Sequence, residues 1–85
     1  MNILFTATGW SDYGYWLQHD TNTLKKIHKL LHDITRSPFS GLGKPEPLRF
    51  ELSGYWSRRI NHTDRLIYRI DGDNLIVIAC KGHYE

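Results

Sequence analysis

Arg65-Leu66-Ile67-Tyr68-Arg69-Ile70, followed by Asp71-Gly72-Asp73-Asn74 and then Leu75-Ile76-Val77-Ile78-Ala79-Cys80, is the stretch that decides the fold. In the first run Leu66, Tyr68 and Ile70 alternate with Arg65, Ile67 and Arg69, the period-two pattern of a strand. Asp71 to Asn74 is turn chemistry, because Gly supplies a positive φ and Asp and Asn hydrogen-bond their own backbone. The last run is almost continuously apolar, as expected of a central strand buried on both faces. Upstream, Tyr55 to Ile60 sets Trp56, Arg58 and Ile60 against Tyr55, Ser57 and Arg59, and Leu48 to Leu52 reads as one more strand, ending at Ser53-Gly54. Asn61-His62-Thr63-Asp64 supplies the turn before Arg65.

The first half of the chain reads differently. Asn2 to Phe5 is a short apolar strand, after which Thr6 or Thr8 can cap a helix carrying Trp10, Tyr13, Trp16 and Leu17 at three- and four-residue spacing. Gly9 and Gly14 weaken that helix. A second helix, capped by Asp20 or Thr21, shows a clean apolar face of Leu24, Ile27, Leu31 and Ile34, with Lys25, Lys26 and Lys29 elsewhere around it. Ser37-Pro38 stops it near Arg36. Pro38 to Pro47 is dense in proline and glycine and reads as a shaped loop without regular structure. The order β-α-α-β-β-β-β implies an α+β fold: two N-terminal helices on one face of a mostly antiparallel, twisted sheet of about five strands. Function should lie on the other face, which bears arginines.

The 85 residues fit one domain, 1–85, with a compact core. Three Trp, five Tyr and three Phe supply ample apolar surface, and some rings can serve outside, where a flat ring stacks on a base. The single cysteine, Cys80, forms no intramolecular disulfide, which suits a reducing cytosol. Met1 to Phe5 is too short and uncharged for a signal peptide, and no apolar run approaches a membrane span, so a cytoplasmic protein with no membrane partner is expected. The net charge of +2 says little by itself. Between Lys44 and Arg69, however, six cations (Lys44, Arg49, Arg58, Arg59, Arg65, Arg69) face only Glu46, Glu51 and Asp64. That cluster suits a phosphate-bearing or acidic partner, and equally a solvated strand face.

His28 and His32 stand four apart on a helix, but no third ligand has suitable spacing, and exposed helix histidines are the better reading. Gly41-Leu42-Gly43-Lys44-Pro45 lacks the first glycine and the final Ser or Thr of a phosphate-binding loop, so turn geometry explains it, with a phosphate contact by Lys44 as the modest alternative. Cys80, in an apolar strand, has a setting that raises its thiol pKa and hides the sulfur; it is a core residue. No metal or cofactor is implied. Glu46 between two prolines, Arg65 opening a strand, and His83-Tyr84 after Gly82 are the minimum parts for RNA cleavage by internal transesterification: a base for the 2′-OH, a cation for the phosphorane-like charge, and an acid for the leaving 5′-oxygen. Spacing alone does not distinguish this set from a surface Glu, a strand Arg and a frayed end.

Longer motifs do. Gly43-Lys44-Pro45-Glu46-Pro47-Leu48, Leu52-Ser53-Gly54-Tyr55-Trp56-Ser57-Arg58-Arg59-Ile60, Arg65-Leu66-Ile67-Tyr68, Cys80 and His83-Tyr84 resemble the YoeB (Txe) toxins of the wider RelE-like group, as do Trp10, Asp12, Tyr13, Tyr15, Trp16 and Ser37-Pro38-Phe39. The resemblance covers essentially the whole chain. It implies a RelE-like, microbial-ribonuclease-type fold and a toxin that enters the ribosomal A site and cleaves mRNA without a metal. It assigns Glu46 as general base, His83 as general acid, Arg65 as phosphate-stabilising cation and Tyr84 as substrate-orienting ring. Lys44, Arg49, Arg58, Arg59 and Lys81 are then candidate RNA contacts. The implied partners are the ribosome, mRNA and a cognate antitoxin of the YefM/Phd type with a flexible acidic C-terminal segment; homodimers are common in such families. Two other readings compete: a module that clamps RNA or ribosome without cutting, and a toxin–antitoxin complex acting mainly in repression of its own operon. The latter agrees with the lack of a helix-turn-helix pattern.

Overall fold

In the computed structural model, which describes residues 1–82, the deciding hairpin forms as read: Arg65–Asp71 pairs antiparallel with Asn74–Ala79, and Gly72 takes the positive φ of the turn. Numbered along the chain, the strands are β1 (Asn2–Phe5), β2 (Glu46–Pro47), β3 (Trp56–Arg59), β4 (Arg65–Asp71) and β5 (Asn74–Ala79). They form a mixed sheet in the order β1-β5-β4-β3-β2, in which only the β1–β5 pairing is parallel. Helices α1 (Ala7–His19) and α2 (Thr21–Arg36) are set end to end by Asp20. The Thr6 hydroxyl accepts from the Gly9 N–H to cap α1, and the Asp20 carboxylate accepts from the Thr23 N–H to cap α2.

Both helices cover one face of the sheet. Leu24, Ile27, Leu30, Leu31 and Ile34 of α2 are buried with Trp16 of α1 against Leu66, Tyr68, Leu75 and Val77. Each such aliphatic side chain contributes about 1.5–3 kcal/mol of burial free energy. Gly9 lets α1 approach β5 closely: a Cβ there would lie 2.5 Å from the Val77 carbonyl oxygen. The helix weakness that Gly9 brings is thus the condition for the packing of α1 on the sheet.

Three expectations need correction. Leu48 to Leu52 is not a strand: Phe50 adopts φ 58°, which an extended strand excludes, and Phe50–Leu52 forms a single 3₁₀ turn. The strand at this edge is instead Glu46–Pro47, the end of the supposed loop, where a proline breaks no ladder because β2 has a neighbour on one side only. Finally, β5 is an interior strand, as read, but it is not buried on both faces along its whole length. It runs between edge strand β1 and β4; Leu75 and Val77 are buried under the helices, Ile76 and Ile78 are half-buried, and a bulge beside Ile67 and Tyr68 turns the buried Ala79, which pairs with Ile67, to the other face.

Candidate functional site

On the face away from the helices, strand pairing assembles the site. Glu46 stands opposite Ser57 and Ser57 opposite Ile67, while Arg59 stands opposite Arg65. Directly opposed residues project to the same side with Cβ atoms about 5 Å apart. Residues two apart on a strand share a face, so Glu46, Ser57, Arg59, Arg65, Ile67 and Arg69 all lie on this surface. Glu46 and Arg59 are exposed, Arg65 is half-buried, and Arg69 is engaged with Asp71 at 3.6 Å. Ser57 and Ile67 are fully buried yet stand outside the helix-side core.

Glu46 reaches the sheet through a sharp turn. Gly43 and Lys44 both take positive φ, 77° and 52°, and the Gly43 carbonyl accepts the Arg59 N–H at 2.7 Å. A Cβ on Gly43 would meet the Arg59 carbonyl oxygen at 2.9 Å, so glycine is required there. The loop before it is held from inside by Arg58. This side chain is fully buried and donates to the Asp33 carboxylate at 2.6 Å, to the carbonyls of Leu42, Ser37 and Ser40, and to the Tyr68 hydroxyl. Tyr68 in turn donates to the Pro38 carbonyl at 2.6 Å. The hydrogen bond from Arg58, with a second from the Leu42 N–H, holds the Asp33 carboxyl below the usual carboxylate range. Burial raises the Tyr68 hydroxyl, partly offset by its hydrogen bond from Arg58. Arg58 is therefore not an RNA contact, contrary to the sequence expectation; it is the internal strap of the loop that delivers Glu46.

The chain beyond β5 is also fixed by side chains. The Cys80 N–H donates to Asp12 at 2.9 Å, the Cys80 carbonyl accepts from Trp16 Nε1 at 2.8 Å, and the Lys81 ammonium sits 4.4 Å over the Tyr15 ring. Gly82, at φ 80°, donates its N–H to Asp64 Oδ1 at 2.7 Å, and its carbonyl accepts the Arg65 N–H at 2.8 Å. The described chain thus stops beside Arg65. His83 and Tyr84 lie outside the described residues. The Cys80 thiol is buried, and desolvation, followed by the charges of Asp12 and Asp64, pushes it up to about 12, which removes it as a nucleophile.

Beside the Arg59–Arg65 pair opens a groove of about 700 Å³ lined by Lys26, Gly43, Lys44, Arg59, Ile60, Asn61, His62 and Arg65. Among the described residues the lining holds four cations and no carboxylate, an arrangement that attracts a polyanion. Of the expected RNA contacts, Lys44 and Arg59 line the groove; Arg49 is exposed just before the 3₁₀ turn, and Lys81 is exposed against α1. Lys26 and His62 were not singled out for this role by sequence, because one lies on a helix and the other in a turn; only tertiary packing brings them to the groove. His28 is exposed and meets the Tyr13 hydroxyl at 2.8 Å, and no group of three metal-ligating side chains occurs among the described residues. No helix among them is long and apolar enough to cross a membrane.

Comparison with known proteins gives the same frame. Residues 5–84 match the family of YoeB-like toxins of bacterial type II toxin–antitoxin systems. A toxin YoeB of Streptomyces coelicolor is 50% identical over 99% of this chain and 100% of its own. The structure of a YoeB/ParE toxin from Agrobacterium tumefaciens superposes with a TM-score of 0.96 at 44% identity, covering 99% of this chain and 100% of that one. Staphylococcus aureus YoeB, solved as a dimer and in a heterotetrameric complex with YefM, superposes with TM-scores of 0.93 and 0.92 at 45% identity, each over 99% of this chain and 98% of that one. With its sheet order, its helix pair and the full length of its sequence in agreement, this chain belongs to the family of YoeB-like toxins of bacterial type II toxin–antitoxin systems.

Proposed function

We propose that this toxin is a ribosome-dependent endoribonuclease that cleaves mRNA in the ribosomal A site by attack of the RNA's own 2′-hydroxyl. The observation that carries the reading is the convergence of Glu46, Arg59 and Arg65 on one sheet face beside a groove lined by cations. Glu46 takes the 2′-hydroxyl proton as the oxygen attacks the adjacent phosphorus. Arg65, with Arg59 opposite, offsets the charge that grows on the non-bridging oxygens. His83 returns a proton to the departing 5′-oxygen, and Tyr84 orients or stacks the substrate. The products are a 2′,3′-cyclic or 3′-phosphate and a 5′-hydroxyl. Since the nucleophile belongs to the substrate, the scheme uses no metal or cofactor. Lys44, Arg49, Arg59 and Lys81 make the further contacts to RNA.

The partners follow from the family. The relative in complex with YefM supports a cognate antitoxin whose acidic segment covers the basic surface, and the dimeric relative supports a homodimer. The setting is the bacterial cytoplasm, and 1–85 acts as one toxin domain.

The experiment is mRNA cleavage by the purified chain with translating ribosomes, with and without a chelator, mapped by primer extension. Chelator-resistant cuts at A-site codons, absent on naked RNA, are the expected result. Stalled ribosomes on intact message would replace this reading with a non-cleaving binder, for which the cationic groove is sufficient and Glu46 is not needed.

A further inference from the structure

Among the described residues, one buried side-chain polar atom has no hydrogen-bond partner: the hydroxyl oxygen of Ser57. Its position is specific. Ser57 is fully buried on the open face, directly across the β2–β3 ladder from Glu46 and across the β3–β4 ladder from Ile67. A buried hydroxyl left unpaired is destabilising, and alanine at the same place would avoid that cost at almost the same volume. Native structures satisfy nearly all such groups, so one left over within the protein at a site marks a place that a water, a ligand or a turned side chain can complete. The other buried polar groups nearby are fully engaged: Arg58, one residue along, satisfies its guanidinium with five hydrogen bonds. The unpaired group is therefore not a sign of generally loose packing.

We propose that Ser57 is a positioning residue for Glu46, its hydroxyl donating to the Glu46 carboxylate when RNA occupies the face. This deepens the reading of Glu46 as the base and rests on it. Opposed Cβ atoms about 5 Å apart leave the serine Oγ and a glutamate oxygen within hydrogen-bond reach after one side-chain rotation. Glu46 is exposed, and the prolines on either side fix its backbone but not its side chain. In general-base catalysis the carboxylate must be held at the proton it removes, and a donor on its far oxygen fixes one torsion and leaves the near oxygen for the 2′-hydroxyl. Ser57 touches no substrate atom in this scheme and acts through Glu46.

The test uses the full chain on programmed ribosomes carrying a defined message. Single-turnover cleavage is measured across toxin concentrations, beside thermal unfolding of each variant. For Ser57→Ala the maximal rate should fall by about tenfold to a hundredfold, the size of a lost hydrogen bond to a charged group, while the half-saturating concentration stays within about twofold. The melting temperature should hold or rise by up to about 5 °C, since an unsatisfied polar group has been removed. Ser57→Thr, which keeps the hydroxyl, should recover most of the rate. In a Glu46→Gln background, Ser57→Ala should add little, because the two act as a unit. Wild-type rate in Ser57→Ala, with Glu46→Ala inactive, overturns the proposal and leaves the base assignment standing. A lower rate accompanied by a melting temperature several degrees lower overturns it too, as a packing effect. Full activity in Glu46→Ala removes the base assignment itself, and the role of Ser57 with it.

Discussion

On the helix-covered face of β3, Arg58 is fully buried and bonded to a carboxylate, a phenol and three carbonyls. One residue further along the same strand, Arg59 points to the open face, exposed, opposite Arg65 and beside a groove lined, among the described residues, by cations without a carboxylate. The strand pleat alone separates them. A buried guanidinium must be matched bond for bond, and Arg58 is; that consumes its charge and turns it into a fastener for the loop ahead of Glu46. An exposed guanidinium without a partner keeps its field for a ligand. Identical side chains thus differ by face, one holding the fold and the other left exposed beside the cationic groove.

The sharpest break in the comparison is Glu46→Ala. With Glu46 as the proposed base, the change should lower cleavage by about 10²–10⁴-fold and leave the unfolding midpoint unchanged, measured by primer extension and urea titration. Arg58→Ala should do the reverse. Removing it strands the partners of a buried pair, and the cost should be about 3 kcal/mol in equilibrium unfolding, at the lower end for such pairs because Asp33 is 24% exposed. If Arg58→Ala proves as stable as wild type, the division between faces fails. Gly9→Ala, on the covered face, should cost about 1–3 kcal/mol through the collision with the Val77 carbonyl, read in the same titration.

Arg59→Ala should leave stability within about 0.5 kcal/mol. Its effect should appear in RNA binding, where the slope of log affinity against log salt should shrink by about one. The smallest expected effect is a pH dependence. Asp33 has a carboxyl lowered by Arg58, so its contribution to stability is fully present above the unfolded-state carboxylate range and is lost as pH falls through the lowered, folded-state value. Acid titration of folding should show that loss in the wild type and a weaker one in Arg58→Ala; equal acid arms would uncouple Asp33 from Arg58.

Much of this division was legible in the sequence. The caps, read as Thr6 or Thr8 and as Asp20 or Thr21, form at Thr6 and Asp20, and the apolar stripe of α2 and the alternation through β3 and β4 form as read; all involve neighbours a few residues apart. The burial of Arg58 was legible too: it alternates with Trp56 and Ile60, residues of the covered face, and only the habit of placing charge outside argued otherwise. What could not be read depends on distant partners. β2 is a strand only because β3 lies beside it, and its two residues carry no pattern of their own. Phe50 takes a left-handed φ that nothing in its residue type favours. Lys26 joins Arg65 in one groove only because α2 packs near the β3–β4 turn.

The pairing of β1 with β5 has a consequence in time. Asn2 waits for Asn74, 72 residues later, before its strand has a neighbour, and the Thr6 cap, the Gly9 packing and the Asp12 and Trp16 bonds all reach into the same late segment. At about 5–20 residues per second of synthesis, that wait lasts roughly 4–14 s. The two helices therefore emerge before most of the surface they cover, and the long-range β1–β5 pairing can form only after the local β2–β3 and β3–β4 pairings are available. In a member of a toxin family, such lateness acts as a delay on maturation: a nascent chain stopped before Leu75 carries Glu46, Arg59 and Arg65 but lacks the strand that joins the two halves of the molecule.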